Sequence, residues 1–144
     1  MAELRLATPV VVVVLASSEA CDRVVAPEGA IAIRTALREV LLVGPADLEA
    51  VRGVLHEPSA IVDDVTDGWV GFVLEGDDVR DAFSRVCELQ LPDEGWTQGE
   101  VARAAAKVIV QPGEPGRLTI LVPAMLGSHV EARIRADAAE LLVP

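Results

Sequence analysis

Aromatic residues are nearly absent: 144 residues include only Trp69, Trp96, Phe72 and Phe83, with no tyrosine. A core must then be built from Val, Leu, Ile and Ala, and no aromatic platform exists on which nucleic-acid bases could stack. Cysteine is scarce as well. Cys21 and Cys87 cannot form the disulfide framework of a small secreted domain, and both are expected as free, buried thiols. Positive charge is in short supply. Twelve Lys and Arg against 23 Asp and Glu leave a net charge of −11, which repels a nucleic-acid backbone or an anionic membrane.

Long apolar runs are missing too. The stretch 7–16 (ATPVVVVVLA) is far short of the roughly 20 residues a membrane-spanning helix needs. Only Arg5 precedes it, offset by Glu3, so the basic n-region of a signal peptide is lacking. Five consecutive valines instead suit a strand buried on both faces. The expectation is a cytoplasmic protein. What the chain does have is apolar material, 51% of its residues, enough to exclude disorder as its main state. The length suits a single domain over 1–144.

Periodicity then orders the chain. Residues 17–29 are polar, contain Pro27 and Gly29, and suit a loop. Strands are expected at 30–34 and 39–43, followed by a helix at 45–55 on which Leu48, Val51 and Leu55 form one stripe. Strands at 61–66 and 69–75 flank the turn signal Asp67-Gly68. A helix at 77–88 follows, burying Cys87 on its apolar side. Residues 92–99 suit a loop carrying Trp96. Alternation at 102–111, the Pro-Gly-rich stretch 112–116 and strand 117–122 predict a hairpin, and a last helix is expected at 124–142. Strand–strand–helix, repeated, implies an α+β fold: a largely antiparallel sheet with helices on one face.

The chemistry-bearing residues do not form a pattern. His56 and His129 are the only candidate imidazole bases, His56 at an expected helix end as a solvated cap. No G-x-S-x-G elbow, HExxH, CxxC or glycine-rich phosphate loop occurs. The stretch 63–68 (DDVTDG) begins like a calcium loop, but Val65 and Leu74 occupy ligand positions, so an acid-rich turn fits better. No catalytic, cofactor-binding or metal-ligating residue is assigned on these grounds. Seven carboxylates from Asp63 to Asp81 form either a solvated rim or a patch for a basic partner surface.

Order and spacing of short motifs carry a resemblance. Asp64-Val65-Thr66-Asp67 enters a strand, Leu74-Glu75-Gly76 closes it, and Val79-Arg80-Asp81-Ala82-Phe83 opens a helix. Cys87-Glu88-Leu89-Gln90-Leu91 and Glu94-Gly95-Trp96-Thr97-Gln98-Gly99 follow. Leu121-Val122-Pro123 precedes the last helix, and Leu42-Val43-Gly44-Pro45-Ala46-Asp47 lies upstream. Over about residues 30–142 this order resembles the sarcosine oxidase gamma subunit family, within the glycine cleavage T-protein (aminomethyltransferase-like) superfamily. The resemblance implies the aminomethyltransferase folate-binding domain fold and an accessory chain without cofactor chemistry of its own. It also implies larger partner subunits bearing flavin (FAD or FMN), with tetrahydrofolate a further partner-bound cofactor. The function it implies is that of a non-catalytic subunit of an oxidase acting on sarcosine or a related N-methyl amino acid.

Two alternatives stand beside it. One is a small folate-binding or one-carbon-transfer protein, with Asp64 as the carboxylate facing the ligand and Trp69 or Trp96 as the stacking surface. The other is a free-standing homo-oligomeric interaction module, suggested by the apolar strands and last helix.

Overall fold

A computed structural model describes residues 1–144, and the chain divides into two compact units, 9–67 and 1–8 with 68–144. In the first, strands β2 (Val11–Leu15), β3 (Ile31–Ala36), β4 (Glu39–Val43) and β5 (Ile61–Asp64) form an antiparallel sheet in the order β3-β4-β2-β5. The valine run sits in the interior of this sheet. Val12 and Val14 face the core on one side while Val11 is buried on the other, as a strand apolar on both faces requires. Helix α1 (Ser18–Asp22) lies within the stretch expected as loop, its first turn capped by Ser17, whose hydroxyl accepts from Ala20 N at 3.2 Å. Helix α2 (Leu48–Leu55) is capped by Asp47, which accepts from Glu49 N at 3.0 Å. It ends at His56 in a left-handed conformation, φ 52°. Val51 and Leu55 pack with Val12, Val14, Val40, Leu42, Val62 and Cys21.

The second unit holds a five-stranded antiparallel sheet, order β1-β6-β9-β8-β7. Its strands are β1 (Ala2–Ala7), β6 (Trp69–Gly76), β7 (Gly95–Val101), β8 (Ala104–Val110) and β9 (Arg117–Pro123). Phe72, Leu74, Val108, Val110, Leu118, Ile120 and Val122 share one face and pack against helices α3 (Val79–Ser84) and α4 (Gly127–Asp137) through Val79, Phe83, Val130 and Ile134. The α+β class, antiparallel pairing and helices on one face of each sheet match the sequence reading.

Several local assignments change. There are two sheets where the element order suggested one. Asp67-Gly68 is not a hairpin turn: residues 66–68 form a single 3₁₀ turn, after which β5 pairs with β2 and β6 pairs with β1 and β9. The reason is partner supply. β6 is apolar on both faces and eight residues long, and it takes the two long neighbours that can pair along its length, whereas β5 is a four-residue acidic edge. Residues 2–7 form a strand of their own, ended by Pro9, so the valine strand starts later than expected. Gly95–Val101 is a strand instead of a loop, paired along its whole length with β8. The last two helices are shorter than their apolar periodicity suggests.

The β7–β8 hairpin turns through Ala102 and Arg103, both at positive φ (50° and 65°). A two-residue turn with both φ positive is type I′, usually built from Asn-Gly, so its backbone here needs support. Ala102 N donates to Val86 O at 2.9 Å, and His129 Nε2 lies 3.0 Å from Ala102 O.

Candidate functional site

Asp64 closes β5, and its carboxylate serves the local turn. Oδ1 accepts from Thr66 N at 2.9 Å, while Thr66 Oγ1 accepts from Val11 N at 3.0 Å and Val65 N donates to Val11 O. Hydrogen bonds from the Thr66 side chain, then its backbone, hold the Asp64 carboxyl below the usual carboxylate range. It is therefore ionised at neutral pH and already engaged. Trp69 and Trp96 lie in the other unit, both half-buried on the same sheet face, opposite the helices. Three strand spacings and a four-residue offset separate them, about 20 Å between backbones. They are not brought together around one ligand-sized space.

The 9–67 unit contains a polar cluster that sequence patterns do not reveal. Glu57 follows the end of α2, and its Oε2 accepts from Ser17 N at 2.8 Å. The Ser17 hydrogen bonds pull the Glu57 carboxyl below its ordinary range and outweigh the opposing effect of burial, with the nearby Arg38 and Arg23 guanidinium groups adding a lesser pull in the same direction. Arg23 donates to Leu55 O at 2.6 Å and Arg38 to Ala16 O at 3.2 Å, so both cations also tie off backbone carbonyls. Two clefts meet at Glu57. One, about 450 Å³, is lined by Arg52, Leu55, His56, Glu57, Pro58 and Ala60; the other, about 270 Å³, by Leu15, Ala16, Arg38, Glu57, Ser59 and Ile61. Such a cluster can neutralise a cation, but with Glu57 held ionised it is a poor proton donor at neutral pH. Forty residues separate Ser17 from Glu57, so no local motif announces the pairing.

The thiols and imidazoles are likewise occupied or isolated. Cys87 is buried near the start of the segment after α3, where its Sγ donates to Glu100 O at 3.1 Å and accepts from Leu89 N at 3.4 Å. Burial pushes its pKa up, which keeps it a thiol and not the thiolate a nucleophile requires. Cys21 is also buried and free. His129 supports the I′ turn, and His56 is exposed at its left-handed cap. No three His, Cys, Asp or Glu side chains converge as a metal-binding group. No helix is long and apolar enough to cross a membrane.

No protein-family model matches the sequence, and no curated protein matches it. Solved structures do resemble the fold. A chain of the heterotetrameric sarcosine oxidase from Corynebacterium sp. U-96, determined in complex with pyrrole 2-carboxylate, aligns with a TM-score of 0.77 at 16% identity, covering 96% of this chain and 84% of that one. The E. coli aspartokinase III (TM-score 0.48, 12% identity, 93% of this chain and 32% of that one) and the regulatory subunit of aspartate kinase from Thermus thermophilus (0.44, 13%, 98% and 96%) are more distant. The two antiparallel sheets and their helices thus have the fold of a chain in a heterotetrameric sarcosine oxidase.

Proposed function

We propose that this chain is the gamma-type accessory subunit of a sarcosine oxidase-like complex. In this reading residues 1–144 act as one aminomethyltransferase-like module that docks on larger, flavin-bearing subunits and itself performs no bond-making step. The observation that carries the proposal is the fold shared over 96% of the chain with a chain of a heterotetrameric oxidase. The chemistry of the side chains supports it: the depressed carboxyls of Asp64 and Glu57 serve turns and caps, and the thiol of Cys87 is buried and protonated. The complex would oxidise sarcosine or a related N-methyl amino acid in the cytoplasm, with flavin, and folate where present, held by the partner chains.

The test is affinity purification of the tagged chain from its native host. Stoichiometric recovery of larger chains with flavin absorption and amine-dependent hydrogen peroxide production is expected. Recovery of the chain alone, under conditions that preserve other oligomeric enzymes, would refute the reading.

A further inference from the structure

β7 is an edge strand, paired with β8 on one side only. The segment that follows α3 starts against its outer edge and then leaves it. Val86 O accepts from Ala102 N at 2.9 Å and Cys87 Sγ donates to Glu100 O at 3.1 Å, but no backbone hydrogen bond joins residues 88–94 to the strand. Beside it lies an open cleft of about 440 Å³ lined by Gln90, Leu91, Pro92, Asp93, Trp96 and Thr97. Because the Glu100 carbonyl points outward, the two-residue period of a strand turns the main-chain groups of Gln98 and Trp96 the same way. Neither residue's backbone forms a hydrogen bond within the chain on that side. The cleft therefore offers a row of unpaired amides and carbonyls beside a half-buried tryptophan and an apolar Leu91-Pro92 wall.

Charge selects the occupant. Asp93 lines the cleft, and three further exposed acids lie on the chain segments that border it, Glu88 and Glu94 on the stretch after α3 and Glu100 on β7 itself. Arg80 and Lys107 donate here to neutral oxygens, Pro92 O at 3.3 Å and the Gln98 side-chain oxygen at 2.7 Å, and keep their charge, but the four carboxylates outnumber them. We propose that the outer edge of β7 at Trp96 and Gln98 is a docking edge for an extended, basic segment of a protein partner, which adds to the sheet as a sixth strand. A second copy of this chain, carrying net charge −11, would bring acid against acid and fits poorly. The proposal deepens the accessory-subunit reading by naming one contact surface, and its test does not use the oxidase complex, so the two can fail separately.

The probe is a synthetic peptide of alternating Arg and Val, with an alternating Glu and Val peptide as control, titrated into the full chain while amide hydrogen exchange is followed. The basic peptide should slow exchange at Trp96 and Gln98 by about tenfold or more, and the acidic one should not. Gln98→Pro removes one outward donor at a position where an edge strand accepts proline, and should weaken binding about tenfold. A second variant, Asp93→Lys with Glu94→Lys, leaves the backbone intact and should abolish the preference for the basic peptide. Protection elsewhere but not at Trp96 and Gln98, equal binding of both peptides, or binding unaffected by either variant would overturn the proposal. So would a concentration-dependent dimer that Gln98→Pro dissociates, which would assign the edge to a second copy.

Discussion

Glycine-to-alanine substitution at two positions should have opposite signs, and the structure says by how much. Gly44 ends β4 at φ +122°, and a Cβ there would meet Gly29 O at 2.6 Å and Ala30 Cα at 2.8 Å, both backbone atoms that cannot swing aside. Forcing an L side chain into that backbone region costs about 1–3 kcal/mol. Relieving the overlap costs about 1–3 kcal/mol more. Against this, alanine reduces the entropy of the unfolded chain by about 0.4–1 kcal/mol. Gly44→Ala should therefore destabilise by about 3 kcal/mol, lowering Tm by roughly 6–12 °C for a chain of this size. Gly53 lies inside α2, exposed, with nothing within 4 Å of its would-be Cβ. There the same substitution should stabilise by about 0.5–1 kcal/mol. Urea denaturation followed by far-UV circular dichroism measures both variants against the parent. A Gly44→Ala variant as stable as Gly53→Ala would refute the reasoning, since only the backbone conformation and the neighbouring main chain distinguish the sites.

Three further outcomes follow from named contacts. His129→Ala should leave the carbonyl of the strained, buried Ala102 unpaired and cost about 1–2 kcal/mol, while His129→Gln should recover part of it; faster amide exchange confined to the β7–β8 hairpin is the readout. The Cys87 thiol is raised above its unfolded value near 9.0, so its contribution is complete below that pH and is lost as pH rises through the folded value; stability should decline across the alkaline range, and less steeply in Cys87→Ala. Glu57 is depressed below 4.5, so its contribution is present above that pH and lost as pH falls through the folded value; Glu57→Gln should be less stable than the parent at neutral pH and should show a shallower loss on acidification in pH-dependent denaturation.

The residues that carried the resemblance mostly turn out to be fold-determining. Gly44 and Gly76 occupy positive-φ positions crowded by backbone, and Asp47 caps α2. Phe83 packs in the core and Cys87 ties the post-helix segment to Glu100. Such positions are legible because each imposes a local steric or hydrogen-bonding demand. Ser17, Arg23, Arg38 and Glu57 were not legible, since each is an ordinary polar residue whose partner lies far away in sequence.

By itself the sequence determined the element types: alternation and the valine run made strands, helical spacing made α2 and α3, and the apolar fraction guaranteed a core. Those are local or compositional quantities, set within a few residues by backbone sterics and side-chain burial. Only the tertiary structure decided that β5 and β6 belong to different sheets, that 95–101 is a paired strand, and that the edge of β7 stays open beside Trp96. Strand pairing is a competition among all edges of similar length and polarity, and its winner depends on which faces the whole chain can bury at once.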